Sequence, residues 1–81
     1  EVIFKENDLG SELFIILEGG VDIYKDPAFH EQKQLLIQLH KGSSFGEMGL
    51  FRSSKRTATA ETNQKTRFLI LNKKILKNNN K

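Results

Sequence analysis

The sequence predicts one mainly β domain, built as a β-sandwich or a small barrel. Its 81 residues are enough for a single domain with a thin core. Six short runs combine β-branched and aromatic side chains with the alternation of a half-buried strand. Turn-forming residues separate these runs at intervals of about 8 to 15 residues, as is typical of sandwiches and barrels.

The first three strands are predicted at residues 2–5, 12–18 and 21–25. Residues 6–10 contain Asn, Asp and Gly and favour a turn, because these residues tolerate left-handed backbone or bond to it locally. The run at 12–18 (ELFIILE) is the strongest strand signal, and 21–25 (VDIYK) alternates. Two glycines, Gly19 and Gly20, separate these runs and predict a hairpin in which both turn positions have positive φ.

The second half of the chain supplies the remaining strands. Residues 26–33 hold the single proline and are predicted as a loop. Residues 34–40 (QLLIQLH) fit a helix or a strand by period, and their shortness favours a strand. Residues 47–51 suit one helical turn, 56–62 (RTATAET) and 67–71 (RFLIL) suit strands, and Asn72 is predicted to cap a short helix ending at Leu76. Core or hinge packing is the predicted role of five phenylalanines: Phe4, Phe14, Phe45, Phe51 and Phe68.

Composition narrows the class of protein. The absence of cysteine excludes disulfides and thiolate metal sites and fits a cytoplasmic protein. No apolar run approaches the roughly 18 residues of a membrane span. The net charge of +3 resides in residues 73–81, which carry four lysines and no acid, so the domain itself is not predicted to bind nucleic acid.

One stretch, residues 45–60 (FGEMGLFRSSKRTATA), points to a function. Gly46 and Gly49 let the backbone approach a ligand closely, and a helical turn beginning there directs free N–H groups at a phosphate. Arg56 can neutralise a phosphate and bond two of its oxygens. Glu47 only accepts hydrogen bonds when ionised and therefore suits a hydroxyl. A sugar that carries both groups is a nucleotide.

This stretch resembles the phosphate-binding cassette of the cyclic-nucleotide-binding domain family. The family pattern is Phe-Gly-Glu-(Leu/Met)-Ala-Leu, four or five loose residues, then Arg-(Ala/Thr)-Ala-(Thr/Ser), and the sequence fits it without a gap. The resemblance covers roughly residues 2–76. It implies a jelly-roll β-barrel (a double-stranded β-helix) with a short helical turn in the cassette and with flanking helices missing or truncated. The implied domain is residues 1–76, followed by a Lys/Asn-rich tail at 77–81.

The resemblance also implies roles for individual residues. Glu47 would accept the ribose 2′-hydroxyl, Arg56 would bind an exocyclic phosphate oxygen, and Met48 would pack inward. Backbone N–H groups near Gly46, Gly49 and Thr57 would complete the phosphate cradle. The implied ligand-binding set is therefore Gly46, Glu47, Met48, Gly49, Arg56 and Thr57. The ligand is cyclic GMP or cyclic AMP, and neither a further cofactor nor a metal is implied.

Three positions depart from the family pattern, and one varies within it. Gly49 replaces alanine, Lys55 replaces proline, and Asn7 replaces a glycine in a turn whose left-handed backbone Asn can adopt. A threonine at the position of Thr57 tends to accompany cyclic GMP preference in the family. A single neutral hydrogen bond contributes about 0.5–1.5 kcal/mol, so Thr57 favours cyclic GMP only slightly. Alternatively, Thr57 is simply a strand residue.

The sequence thus predicts a non-enzymatic regulatory module that binds a cyclic nucleotide within a larger signalling protein. Its partner would be a tethered or separate effector: a kinase, an exchange factor or a channel. Two alternatives stay open, a degenerate ligand-free scaffold and the sensor of a transcription regulator. A ligand-free fold could pair Arg56 with Glu47 at the surface. A cupin-type metal site is disfavoured, because His30 and His40 lie ten residues apart, and both are predicted at the surface.

Overall fold

The computed structural model describes residues 1–46 and 54–72, and this part of the chain is built from nine β-strands. The predicted helical turn at 47–51 and the short helix predicted after Asn72 lie outside the described residues. The strands are β1 (Val2–Phe4), β2 (Leu9–Gly10), β3 (Glu12–Glu18), β4 (Gly20–Lys25), β5 (Gln34–His40), β6 (Ser44–Phe45), β7 (Ser54–Lys55), β8 (Thr59–Thr62) and β9 (Arg67–Asn72).

The strands form three antiparallel sheets. A four-stranded sheet has the order β1-β8-β4-β5, a three-stranded sheet the order β6-β3-β9, and β2 pairs with β7. Strands that follow one another along the chain mostly fall into different sheets, so the chain winds between two main layers as in a jelly roll. The predicted mainly-β, jelly-roll fold is confirmed. Within residues 1–46 and 54–72, no helix is long and apolar enough to cross a bilayer.

The strands at 12–18 and 34–40 match their prediction residue for residue, but the predicted hairpin between residues 18 and 21 is wrong. β3 and β4 belong to different sheets. Of the two glycines between them, Gly19 has a positive φ, 96°, and Gly20 does not. A Cβ at Gly19 would collide with the main chain of Lys65 and the hydroxyl of Thr66. The glycine is needed because two connections between the sheets cross here in close contact, and this crossing leaves no trace in local sequence.

The strand predicted at 56–62 begins three residues late, at Thr59. The main chain of Arg56 is hydrogen-bonded instead to the turn after β1. The Asn7 N–H donates to the Arg56 carbonyl at 2.8 Å, and the Arg56 N–H donates to the Asp8 carbonyl at 2.7 Å. Asn7 has a φ of 75°, so the left-handed turn expected there is present. The two-residue strands β2, β6 and β7 were not predicted because they are too short to show a period.

The core lies between the two main sheets and is largely aromatic. Phe14 and Phe45 are register partners on β3 and β6, and their rings stack with centroids 5.2 Å apart. Phe4 and Phe68 contact both rings at 5.8 to 6.0 Å. This confirms the predicted packing of four of the five phenylalanines, while Phe51 lies outside the described residues. Because Phe45 is anchored on β3, the core fixes the point at which the chain enters residues 46–60.

Tyr24 on β4 is buried, and its hydroxyl donates to Glu61 Oε1 on β8 at 2.8 Å. Burial, helped by this hydrogen bond and by the negative charge of Glu61, raises the pKa of Tyr24 from 10.0 to about 12. The protonated phenol therefore stabilises the fold fully below pH 10, and this contribution is lost as the pH rises through about 12.

The first prediction concerns this phenol, which is the only tyrosine of a chain without tryptophan. Titration of phenolate absorbance, with circular dichroism to follow the fold, is expected to give a midpoint near 12 in the folded chain. Glu61→Gln should move the midpoint toward 10, because it removes the negative charge beside the hydroxyl. A midpoint near 10 in the folded wild-type chain would contradict the buried hydrogen bond.

Candidate functional site

Arg56 is the centre of the candidate site. It follows β7 directly and is only 7% exposed, although arginine is almost never fully buried without a partner. Its main chain is held on both sides by the Asn7 and Asp8 bonds to the turn after β1. The alternative that placed Arg56 at the surface is wrong, because its side chain is buried, and the pairing with Glu47 that it included lies outside the described residues.

The guanidinium of Arg56 lies in a narrow slot. Its central carbon stands 4.2 Å above the centroid of the Phe4 ring, within range of a cation–π contact. Nη1 donates to the Gly46 carbonyl at 3.3 Å and Nη2 to the Glu12 carbonyl at 3.1 Å. A Cβ on Gly10 would overlap the guanidinium, and one on Gly46 would stand 2.7 Å from Nη1. Gly10 is therefore favoured by its close approach to this side chain, and Gly46 also by the Glu12 main-chain oxygen, 2.9 Å from the position of a Cβ.

The charge of Arg56 is not neutralised within residues 1–46 and 54–72. No carboxylate of this part forms an ion pair with it, and Nε is buried without a hydrogen-bond partner. Burial lowers the pKa of Arg56, while the more distant Glu12 and Asp8 carboxylates raise it. A buried cation with an unused donor is costly unless an anion completes its coordination. Within these residues the guanidinium therefore lacks the negative charge that would complete its coordination.

Of the predicted ligand-binding set, the structure brings Gly46 and Arg56 together. Gly46 follows β6 with a φ of 83°, a left-handed backbone that favours glycine, and this turns its carbonyl to the guanidinium. Glu47, Met48 and Gly49 lie outside the described residues. The segment after Gly46 nevertheless starts at the guanidinium, because the Gly46 carbonyl is one of its two hydrogen-bond acceptors in the described part of the chain.

Thr57 lies beside Arg56 in the connection that leads to β8, so the interpretation of Thr57 as a strand residue is wrong. Its side chain is exposed, and its carbonyl accepts a hydrogen bond of 2.6 Å from Lys25 Nζ. The backbone of this connection is therefore held at Thr57 by β4 and at Arg56 by the turn after β1. The hydroxyl of Thr57 is left at the surface next to the site.

Two site residues were missed by sequence reasoning. Phe4 was assigned only to the core, and Gly10 only to a turn, because contact with a residue about fifty positions away has no local signal. His30 and His40 are exposed as predicted, although His30 also contacts Glu6. Across the described ranges, no group of three or more His, Cys, Asp or Glu residues is placed to hold a metal ion.

The fold and this site define a class of protein: a jelly-roll domain with a buried arginine whose charge no carboxylate of residues 1–46 and 54–72 neutralises. The family model described as "Cyclic nucleotide-binding domain" matches residues 1–78. The chain therefore belongs to the cyclic nucleotide-binding domain family.

Individual relatives agree with this assignment. The chain is 37% identical to human cGMP-dependent protein kinase 2 over 72% of its own length and 8% of the kinase. It is 34% identical to the cAMP-dependent protein kinase regulatory subunit of Dictyostelium discoideum over 73% of its length and 19% of the subunit. The crystal structure of the Thermus thermophilus catabolite activator protein superposes with a TM-score of 0.86 at 30% identity, covering 96% of this chain and 36% of that one. The chain thus spans less than a fifth of each of these two kinase relatives.

The second prediction tests the close approach of Gly10 to the guanidinium of Arg56. Gly10→Ala should destabilise the chain by about 1–3 kcal/mol, because the new methyl group overlaps the guanidinium of Arg56. The same substitution in an Arg56→Ala background should cost much less, since the overlap is gone. Urea unfolding of the four chains gives the coupling energy. Equal losses in both backgrounds would contradict the close approach of Gly10 to the arginine.

Proposed function

We propose that this chain binds a cyclic nucleotide through Arg56 and acts as the regulatory module of a larger signalling protein. The observation that carries the proposal is the buried guanidinium, which has no carboxylate partner and an unbonded Nε within the described residues. A cyclic phosphate diester carries one negative charge and two exocyclic oxygens. It would neutralise the cation and accept from its free N–H groups.

The contacts of Arg56 indicate which of its N–H groups remain for a ligand. The Phe4 ring closes one face of the guanidinium and Gly10 lies against it, so the N–H groups that Gly46 and Glu12 do not use are the ones left for a ligand. In this proposal Glu47 accepts the ribose 2′-hydroxyl, the N–H groups near Gly46 and Gly49 cradle the phosphate, and Met48 packs inward. In this proposal residues 46–49 would therefore contact both the ligand and the barrel.

The proposed regulatory role rests on membership of the cyclic nucleotide-binding domain family. The two kinase relatives carry names that pair such a domain with cyclic GMP in one case and cyclic AMP in the other. In our proposal the effector is a kinase, an exchange factor or a channel in the cytoplasm, and the domain performs no reaction itself. The ligand shifts the effector only by binding its two states with different affinity.

The third prediction is the loss of binding in Arg56 variants. Calorimetric titration of the wild-type chain should show micromolar or tighter binding of a cyclic nucleotide. Arg56→Ala should weaken it by about 1.5–3 kcal/mol or more, because a charge-assisted contact to a buried phosphate is lost. Arg56→Lys should recover part of this energy, since it keeps the charge without the planar fork.

Arg67→Ala is the matched control, because it removes an arginine that is exposed and paired with Glu18. Its affinity should equal that of the wild type. Unchanged affinity in Arg56→Ala would overturn the site, and no binding to a folded wild-type chain would favour the ligand-free scaffold.

The fourth prediction concerns the choice between the two nucleotides. We propose that the exposed hydroxyl of Thr57 slightly favours cyclic GMP by bonding the guanine amino group. Thr57→Ala should then lower the ratio of cyclic GMP to cyclic AMP affinity by at most about tenfold, the size of one neutral hydrogen bond. Thr57→Ser, which keeps the hydroxyl, should retain the ratio in parallel titrations. A ratio that Thr57→Ala leaves unchanged would remove Thr57 from ligand selection.

A further inference from the structure

Four polar side chains form a closed cluster on the far side of the turn that holds Arg56. We name it the Glu6 cluster; its members are Glu6, Asp26, His30 and Thr59. Glu6 is 7% exposed and Thr59 is fully buried, whereas Asp26 is partly buried and His30 is exposed, so the cluster runs from the interior to the surface. Its members come from the turn after β1, the β4–β5 connection and strand β8.

The hydrogen bonds of the Glu6 cluster close a ring. The Asp26 N–H donates to Glu6 Oε1 at 2.9 Å, the Thr59 hydroxyl donates to Asp26 Oδ2 at 2.8 Å, and the Glu6 N–H donates to Thr59 Oγ1 at 2.9 Å. His30 Nε2 lies 2.7 Å from the remaining Glu6 oxygen, Oε2. Both carboxylate oxygens of Glu6 therefore have partners on the β4–β5 connection, which fixes the turn from that side.

The other side of the same turn is hydrogen-bonded to the main chain of Arg56. The Lys5 carbonyl accepts from the Asp8 N–H at 3.0 Å, which closes the turn with Glu6 and Asn7 at its tip. The next two residues after Glu6 make the two main-chain bonds to Arg56, from the Asn7 N–H and to the Asp8 carbonyl. A displacement of Glu6 would thus move both of these bonds together.

Hydrogen bonds, with a smaller effect of nearby charges, favour the ionised form of the two carboxylates in the Glu6 cluster. The Asp26 N–H and His30, with Lys25 nearby, lower the pKa of Glu6 against the opposing effect of burial. The Ala28 N–H and the Thr59 hydroxyl lower the pKa of Asp26, again with Lys5 and His30 nearby. Both carboxylates are therefore acceptors at neutral pH, as the ring requires, and the ring is weakened only as the pH falls below their ordinary values of 4.5 and 3.8.

We infer that Glu6 is a positioning residue for the ligand site: by anchoring the turn of residues 5–8 to Asp26, His30 and Thr59, it fixes the main chain of Arg56 and so the direction of its guanidinium. The inference rests on the proposed function for its effect on ligand affinity. The restraint on the Arg56 main chain is measurable without any ligand.

The fifth prediction is tested first in the ligand-free 81-residue chain by amide hydrogen exchange. Glu6→Ala should raise the exchange rate of the Asn7 and Arg56 amides by about tenfold or more, because the turn loses two of its anchors. The Ile16 amide on β3, which donates to the Ser43 carbonyl just before β6, should exchange as in the wild type and serves as the internal reference. Glu18→Ala, which removes an exposed carboxylate paired with Arg67, should change neither of the two amides.

The same variants are then titrated with cyclic GMP and cyclic AMP. Glu6→Ala should weaken binding about tenfold. Glu6→Gln should weaken it less, because it keeps the oxygen that accepts from Asp26. In an Arg56→Ala background, Glu6→Ala should cause no further loss, since Glu6 acts through the arginine. If Glu6→Ala does not fold, His30→Ala removes a single contact at the exposed rim and should give a smaller change in the same direction.

The outcomes separate this inference from the proposed function. A wild-type chain that binds no nucleotide would end the proposed function, and the exchange of the Arg56 amide would still decide whether Glu6 positions it. A Glu6→Ala chain that melts at a lower temperature but keeps its amide exchange and its affinity would show a merely structural role and overturn the inference. Faster exchange at Asn7 and Arg56 together with weaker binding would support it.

Discussion

The rest of the structure depends on a buried positive charge that the described residues do not neutralise. The guanidinium of Arg56 is stacked on Phe4, donates to two carbonyls and retains a buried Nε without a partner. Transfer of such a group from water is unfavourable, so the fold must hold it in place by other means. The Phe4 ring, Gly10, Gly46 and the turn after β1 all meet at this residue, and in our proposal an anionic ligand completes its coordination.

The architecture explains how a small domain holds a buried arginine in place. The aromatic core between the sheets holds β3 and β6 together, and β6 delivers Gly46 to the guanidinium. On the opposite side, the Glu6 cluster ties the turn after β1 to β8 and to the β4–β5 connection. Arg56 is thus held between an apolar support and a polar one. Apolar packing is non-directional, whereas the hydrogen-bonded ring fixes orientation, which is what an arginine proposed to bind a ligand requires.

Sequence reasoning succeeded where a signal is local and long. The strands at 12–18 and 34–40 carry seven residues each, enough for their length and side-chain types to indicate a strand. It failed at the hairpin predicted around Gly19 and Gly20, because a pair of glycines fits both a tight turn and a crossing between sheets. The early start predicted for β8 had a similar cause: the alternation of residues 56–62 is real, yet Arg56 bonds to a distant turn in place of a neighbouring strand.

The sequence by itself determined the class of fold, through the pattern of its strands, and the residue on which function is proposed to depend. Glycines, Glu47 and Arg56 follow one another in one contiguous stretch, in the order that the proposed binding of a phosphate and a sugar hydroxyl requires. Only the tertiary structure decided how Arg56 is held. Phe4, Gly10 and Glu6 are separated from it by some fifty residues, and nothing in their local sequence marks them as its neighbours. Their roles arise from the pairing of strands across the two sheets, which brings distant segments into contact and sets the direction of one buried side chain.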